Sequence, residues 1–208
     1  MVHAQRPMSD SHDDTVQRLL EKLRAGDRRA FDDLFPLVYE ELRQAAGRQR
    51  RRWDGDDSLN TTALVHEAYL RLAGTASMAW RNQPHFLAVA SKAMRQILID
   101  NAKRRRAAKR GGGLRRVPIE EIETALKSGG DASEAGADAL VALEDALIRL
   151  EAHDARQSRI VECRFFGGMA IEETATALGV SPATVKRGWA MAQAWLYREL
   201  ATHPEVAT

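Results

Sequence analysis

The stretch AIEETATALGVSPATVKRGWAMAQAWLYREL, residues 170–200, decides how the C-terminal part of the chain folds. Its pattern predicts two helices joined by a tight turn. Gly179 is suited to end the first helix, because glycine readily adopts the left-handed conformation needed there. Ser181 is a favourable residue at the start of the second helix. Ala175 would let the two helices cross closely and Val185 would fill the angle between them, as in a helix-turn-helix.

The second helix of this stretch has one apolar face and one narrow basic face. Helical spacing predicts an inner face made of Val185, Trp189, Ala192 and Leu196. The opposite face is narrow enough for a major groove, and its basic residues lie near its start. We therefore predict DNA contacts from Ser181, Ala183, Thr184, Lys186, Arg187 and Ala190. An ordinary helical hairpin would show a similar pattern, so the stretch alone leaves that alternative open.

Charge is distributed unevenly along the 208 residues. The formal net charge is only +2, with 44% hydrophobic and 29% charged residues, which suits a soluble and helix-rich protein. Residues 103–116 nevertheless contain eight basic residues and no acidic one, whereas residues 117–139 contain six acidic residues and one lysine. This asymmetry indicates a nucleic-acid surface beside a solvated spacer.

Composition also argues against several classes of protein. Cys163 is the only cysteine, so an intrachain disulfide is impossible and a reducing compartment is expected. The sequence has no apolar run of about 18 residues and no signal segment, which predicts a cytoplasmic protein without membrane insertion. The six histidines are scattered, and no phosphate loop or nucleophile elbow occurs. We expect no enzyme, no metal site and no cofactor.

The order of helical patterns predicts two small helical domains. Residues 14–110 carry four amphipathic segments, and residues 138–202 carry a second helical group that ends in the helix-turn-helix. Residues 1–13 are expected to form a disordered tail. Residues 111–137 are rich in glycine, serine, alanine and acids, and predict a flexible linker. No segment alternates like a strand, so the fold class is all-α.

Three segments, taken in order, resemble bacterial RNA polymerase sigma factors of the extracytoplasmic-function group. TALVHEAYLRL (62–72) is similar to the family helix that docks on core polymerase. HFLAVASKAMRQILIDNAKRRR (85–106) is similar to the helix that melts and reads the −10 element. Residues 162–200, which contain the helix-turn-helix, are similar to the domain that binds the −35 element. Segments of both predicted domains in family order are far more specific than a lone helix-turn-helix.

The resemblance implies a region 2-like domain and a region 4-like domain that together bring polymerase to a promoter and open the DNA without bond chemistry. Its implied partners are core RNA polymerase, through the beta-prime clamp and the beta flap, promoter DNA and a candidate anti-sigma factor. The implied polymerase-docking residues are His66, Glu67, Leu70 and Arg71. The implied −10 and melting residues are Trp80, Lys92, Arg95, Asn101, Arg104, Arg105 and Arg106.

Two positions depart from the family pattern. Ala170 replaces the usual serine or threonine cap, which should cost roughly 1 kcal/mol of helix stability. Gly188 interrupts the recognition helix at a cost of about 1 kcal/mol relative to alanine, and we expect it to remove a DNA contact. The main alternative function is a helix-turn-helix regulator that acts without docking on core polymerase, through a sensing or dimerising N-terminal domain. A helical RNA-binding or adaptor protein is a more distant alternative.

Overall fold

The computed structural model of the chain describes residues 8–53, 59–74, 80–108 and 136–202. These residues form eight α-helices and one π-helical turn, and no strand occurs among them. The predicted all-α class is therefore confirmed. No helix in the described ranges is long and apolar enough to cross a membrane.

The N-terminal half consists of four helices, as the sequence predicts. They are α1 (Met8–Arg24), α2 (Ala30–Trp53), α3 (Thr61–Gly74) and α4 (Gln83–Ala108). Helix α2 contacts the other three, and their apolar faces meet in a shared core. The large buried side chains of this core include Phe31, Leu34, Leu64, Phe86 and Met94.

The starts of two of these helices can be compared with the sequence predictions. Helix α1 begins at Met8, so residues 8–13 are helical and the prediction of a disordered tail was wrong for them. Residues 1–7 lie outside the described residues. The sequence offers Asn60, Thr61 or Thr62 as the cap of helix α3, and the structure shows Asn60, because its side-chain oxygen accepts the N–H of Ala63 at 2.8 Å.

The C-terminal half also contains four helices. They are α5 (Gly136–His153), α6 (Ala155–Val161), α7 (Ile171–Leu178) and α8 (Pro182–Thr202). Helix α6 begins after Asp154, whose carboxylate accepts the N–H groups of Arg156 and Gln157 at 2.9 and 3.0 Å. Asp154 therefore caps α6, as a residue of its type just before a helix is expected to do. Helix α5 begins at Gly136, slightly before Asp138, where the sequence predicted its start.

A π-helical turn, Glu162–Phe166, follows α6 directly. The N–H of Gly167 donates to the carbonyl of Glu162 at 2.9 Å, a bond that spans five residues. The turn ends at two glycines, as the sequence predicts, and Gly168 has a φ of 64°. Helix α6 and the π-helical turn thus form one continuous helical segment that widens over its last five residues.

The two halves pack directly against each other along a surface that we call the seam. The seam is formed by α2 and α4 on one side and by α5, the π-helical turn and α7 on the other. A single apolar cluster continues through it and includes Phe165 and Phe166. The side-chain amide of Gln49 spans the seam and donates to the carbonyls of Ser91 and Phe166 at 3.1 and 3.2 Å. Residues 109–135, which hold most of the predicted flexible linker, lie outside the described residues.

Candidate DNA and polymerase interfaces

The helix-turn-helix has the geometry that its sequence predicts. Gly179 ends α7 with a φ of 67°, in the left-handed region. Ser181 caps α8, because its hydroxyl oxygen accepts the N–H of Thr184 at 3.2 Å. Val185 is fully buried in a small apolar cluster with Ile160 and Ala175, which fixes the angle between the two helices.

The predicted recognition face of α8 is open to solvent. Ser181, Ala183, Lys186, Arg187 and Ala190 are all exposed, whereas Thr184 is half-buried with its hydroxyl 2.9 Å from that of Ser181. Within the described ranges, no carboxylate lies within 4.0 Å of the charged groups of Lys186 or Arg187. Two cations without an internal partner, on a helix that fits a groove, are the arrangement a DNA-reading helix requires.

Gly188 does not lie on the recognition face, so the expectation that it removes a DNA contact was wrong. A Cβ atom built at Gly188 would point inward and come within 2.6 Å of the Ile160 Cδ1 atom. Gly188 lies three residues after Val185 and four before Ala192, and both are completely buried. The glycine therefore lets α8 approach α6 closely.

We expect Gly188→Ala to destabilise the C-terminal half by about 1 kcal/mol. Alanine gains about 1 kcal/mol in helix propensity, but overpacking a filled site costs about 1–3 kcal/mol. Ile160→Val removes the obstructing Cδ1 atom, so the double variant should recover stability relative to Gly188→Ala. Urea unfolding of the four proteins in the double-mutant cycle measures this coupling. Purely additive effects would contradict the proposed contact.

The start of α7 compensates in part for its missing cap. Ala170 has no side-chain acceptor, as the sequence showed, but its N–H donates to the Glu173 carboxylate at 2.6 Å. The hydroxyl of Thr174 donates to the Ala170 carbonyl at 2.8 Å. Only one of the two reciprocal bonds of a capping box can form here, because alanine cannot supply the other.

The predicted docking residues lie together on the outer face of α3. His66, Glu67, Leu70 and Arg71 are all exposed, and Leu70 keeps 57% of its surface accessible. Arg71 also forms an ion pair with Asp100 of α4 at 2.7 Å. Burial acts to raise the pKa of Asp100, but hydrogen bonds from Arg71 and Gln96 outweigh it and the pKa is lowered. The face thus presents an apolar residue between charged ones, as a partner surface often does.

Trp80 is not available to DNA in this structure, which corrects the prediction that it is a −10 and melting residue. Its side chain has 0% exposure, and its ring lies 5.1 Å from that of Phe86, edge-on. Among the described atoms, its indole N–H has no hydrogen-bond partner. The ring is instead a large component of the N-terminal core, so its position in the family pattern did not reveal its burial.

Arg95 is buried as well, so its prediction as an exposed −10 contact was wrong for this conformation. It forms ion pairs with Glu162 at 2.8 Å and with Glu144, and its guanidinium lies 5.2 Å from the centroid of the Phe166 ring. Burial lowers the pKa of Arg95, while the charge of Glu162 opposes that shift. Lys92, one turn earlier, remains about half-exposed and lies 3.5 Å from the Glu162 carboxylate.

The remaining predicted −10 residues lie near the end of α4. Asn101 is half-buried, and Arg104 is exposed. Arg105 and Arg106 belong to the same helix, but their side chains lie outside the described part of the structure. In the described ranges, no three His, Cys, Asp or Glu side chains are grouped as metal ligands would be.

Comparison with known families matches this architecture to one of them. A model of the family described as ECF sigma factor matches residues 13–202. The chain belongs to the ECF sigma factor family. A search among curated proteins gave no match. As a sigma factor, the protein takes part in transcription initiation and binds DNA, and its family implies core RNA polymerase and promoter DNA as partners.

Sequence reasoning missed the polar residues with which this sigma factor joins its two halves. Glu144 lies four residues after Leu140 and three before Leu147, on the buried stripe of α5. An acid within an apolar stripe is a signal that could have been recognised, because a buried carboxylate needs a cationic partner. Gln49 and Arg48 give no such signal. Arg48 donates to the Gly167 carbonyl at 2.7 Å, a contact between residues far apart in sequence.

Proposed function

We propose that this sigma factor binds core RNA polymerase, directs it to specific promoters and helps to open the DNA. The observation that carries the proposal is the exposed recognition face of α8, which occurs in the same chain as the exposed face of α3 around Leu70. The first face fits a −35 element, and the second fits a protein partner. The protein would act in the cytoplasm, where polymerase and chromosome meet.

The recognition helix supports reading of the −35 element. Arg187 lies on the face opposite the buried Val185, one turn into α8, where a side chain can reach a base edge. Lys186 is exposed at the flank and suits a phosphate. The other proposed contacts are Ser181, Ala183, Thr184 and Ala190. Ser181 and the N–H groups at the start of α8 can also hold a phosphate.

Opening of the −10 element is assigned to the later part of α4. Arg104 is exposed there, and the sequence continues the basic run through Arg105 and Arg106. Cations along one helix can follow a DNA backbone electrostatically. Asn101 is the proposed polar contact at the start of this run. Trp80 and Arg95 are not included, because both are buried.

Polymerase docking is assigned to the outer face of α3, which would bind the beta-prime clamp through His66, Glu67, Leu70 and Arg71. The C-terminal half would bind the beta flap, and an anti-sigma factor is a further candidate partner. The alternative, a regulator that needs no polymerase, makes a different prediction for this face. A regulator would lose nothing when the face is altered, whereas a sigma factor would lose its polymerase.

Reconstituted transcription tests the proposal. The purified protein and core polymerase together should give transcripts from specific promoters that neither gives alone. Tight promoter binding by the protein alone, with no association with core enzyme in gel filtration, would favour the regulator.

We expect Leu70→Glu to weaken association with core polymerase by about tenfold or more, which corresponds to about 1.4 kcal/mol. The substitution places a charge in an apolar contact, and Leu70 is exposed in the free protein, so the fold should persist. Leu70→Met is the matched control, since it keeps an apolar side chain of similar size and should bind normally. Fluorescence anisotropy of labelled protein titrated with core enzyme measures the affinity of both variants and of the unmodified protein. Equal affinities would remove this face from the interface.

A further inference from the structure

A cavity of about 620 Å³ lies where α3 and α4 meet α6, the π-helical turn and α7. Its volume falls within the range of about 300–1,000 Å³ that is usual for small-molecule sites. Part of its lining is aliphatic, since Leu72, Val89 and Leu178 contribute to it together with three alanines. Four basic side chains line it as well, and we call it the cationic cavity after them: Arg71, Arg81, Lys92 and Arg159.

The charge of the cationic cavity is strongly positive. Among the described residues that line it, Glu162 has the single carboxylate, so four cations and one anion give a formal charge of +3. Glu162 is already engaged, because it lies 2.8 Å from Arg95 and 3.5 Å from Lys92. A concave surface with one sign of charge concentrates its field within the cavity and attracts ions of the opposite sign. The cavity therefore favours an anionic ligand.

Two of the four cations have no carboxylate partner in the described ranges. Arg71 pairs with Asp100 at 2.7 Å, whereas no carboxylate lies within 4.0 Å of the charged groups of Arg81 or Arg159. Arg81 directly precedes α4 in the N-terminal half, and Arg159 belongs to α6 in the C-terminal half. Guanidinium groups bind phosphate and carboxylate through paired N–H donors. An anion in the cavity can thus be bound from both halves.

His85 adds an uncharged donor to the same lining. Its Nδ1 atom accepts the backbone N–H of Arg81 at 3.3 Å. Burial, followed by the charge of Arg81, lowers the pKa of His85, so the ring is neutral at neutral pH. Because Nδ1 is the acceptor, the proton of the neutral ring is on Nε2, which can donate a hydrogen bond. The lining thus combines cations with a neutral donor, as an anion site requires.

The rest of the lining indicates which kind of molecule carries the anionic group. His85 contributes the single ring among the described lining residues, so a nucleobase would find little aromatic surface on which to stack. The leucine, valine and alanine side chains instead suit a hydrocarbon chain, whose transfer out of water is favourable. An anion attached to an aliphatic chain satisfies both the charged and the apolar parts of the cavity.

We propose that the cationic cavity binds a small amphipathic anion, a phosphate or carboxylate attached to an aliphatic chain, with Arg81 and Arg159 at the anionic group. This site goes beyond the proposed function, which requires no ligand of this kind. Elements of both halves line the cavity, so the complete site exists only in the folded chain. The ligand should therefore raise the midpoint of thermal unfolding.

Calorimetric titration of the full chain with octyl phosphate, below the concentration at which it forms micelles, tests the site. We expect saturable binding to one site per chain. Inorganic phosphate and octanol should each bind at least about tenfold more weakly, because each has only one part of the required chemistry. Butyl phosphate should also bind about tenfold or more weakly than octyl phosphate, because it buries four fewer methylene groups.

Two matched double variants test the assigned arginines. Arg81→Gln, Arg159→Gln should weaken octyl phosphate binding by about tenfold or more, because hydrogen bonds to a charged group are lost. Both arginines are exposed, so the fold should persist, and circular dichroism checks it. The control, Arg28→Gln, Arg156→Gln, removes the same charge from exposed arginines that do not line the cavity, and it should bind normally.

Several outcomes would overturn this site. Absence of saturable octyl phosphate binding would reject it, and equal losses in the two double variants would show that overall charge attracts the ligand. Octanol binding as tight as that of octyl phosphate would leave an apolar cavity without an anion site. Vesicles of phosphatidylglycerol should not bind; vesicle binding that is lost in Arg81→Gln, Arg159→Gln would assign these cations to a membrane surface. No assay uses polymerase or promoter DNA, so the proposed function succeeds or fails separately.

Discussion

Trp80→Ala is expected to destabilise the N-terminal half by about 3–5 kcal/mol, the usual cost of removing a large aromatic side chain from a core. Trp80 is completely buried against Phe86, so its removal leaves a cavity. That loss is a large fraction of the stability of a typical domain. Urea unfolding followed by circular dichroism at a helical wavelength measures the change, without any DNA present.

Trp80→Phe is the control for this prediction. It keeps an aromatic contact with Phe86 and should cost much less than the alanine substitution. The indole N–H has no partner among the described atoms, so losing it should add little. A Trp80→Ala protein of normal stability that fails only in promoter opening would contradict the burial and support the −10 and melting role that the resemblance implied for Trp80.

Arg187→Ala is expected to cost about 1–3 kcal/mol at the preferred −35 element, the value of one good contact with a base edge. The loss should be confined to the preferred sequence and relax discrimination at one or two base pairs, because Arg187 lies where it can reach a base rather than only a phosphate. Binding of a panel of −35 variants to the full chain, or to its complex with core polymerase, measures the change.

Lys186→Ala provides the matched comparison on the same helix. Lys186 is exposed at the flank of α8, so its loss should weaken every sequence alike and lower the salt dependence by about one counterion. Titrations of the −35 variants at two salt concentrations distinguish a base contact, whose loss depends on the DNA sequence, from a phosphate contact, whose loss changes the salt dependence. If Arg187→Ala weakened all sequences equally, Arg187 would be a phosphate contact and the orientation assigned to α8 would be wrong.

Local signals explain what could be predicted from the sequence. Gly179, Ser181 and Val185 act within one turn of their own positions, through backbone conformation, capping and the angle between two helices. Asn60 and Asp154 likewise cap the helices that directly follow them. Because each of these effects involves neighbouring residues, a single sequence is sufficient to predict them.

Contacts between distant residues explain what could not be predicted. Arg95 meets Glu162, which lies 67 residues later, and nothing near Arg95 in the sequence indicates that contact. The family pattern gives the helix on which Arg95 and Trp80 lie, but it does not give the burial of their side chains. Gly188 is a different case, because its spacing from Val185 and Ala192 already placed it on the inner face. The spacing of Gly188 from these two buried residues is therefore a sequence signal that argues against a DNA contact at this position.

The π-helical turn has a consequence for changes in chain length. It holds one residue more than an α-helical turn would, between α6 and the two glycines at its end. The wider turn absorbs this additional residue, so the chain that follows keeps the direction it would have after a regular helix one residue shorter. Winding residues 162–166 as a regular α-helix without removing a residue would instead rotate everything that follows by about 100°, the angle per residue of an α-helix. Such a rotation would turn α7 and α8 away from their present neighbours without altering a single side chain in them. An insertion in this short segment should therefore be tolerated less well than a substitution or the deletion of one residue.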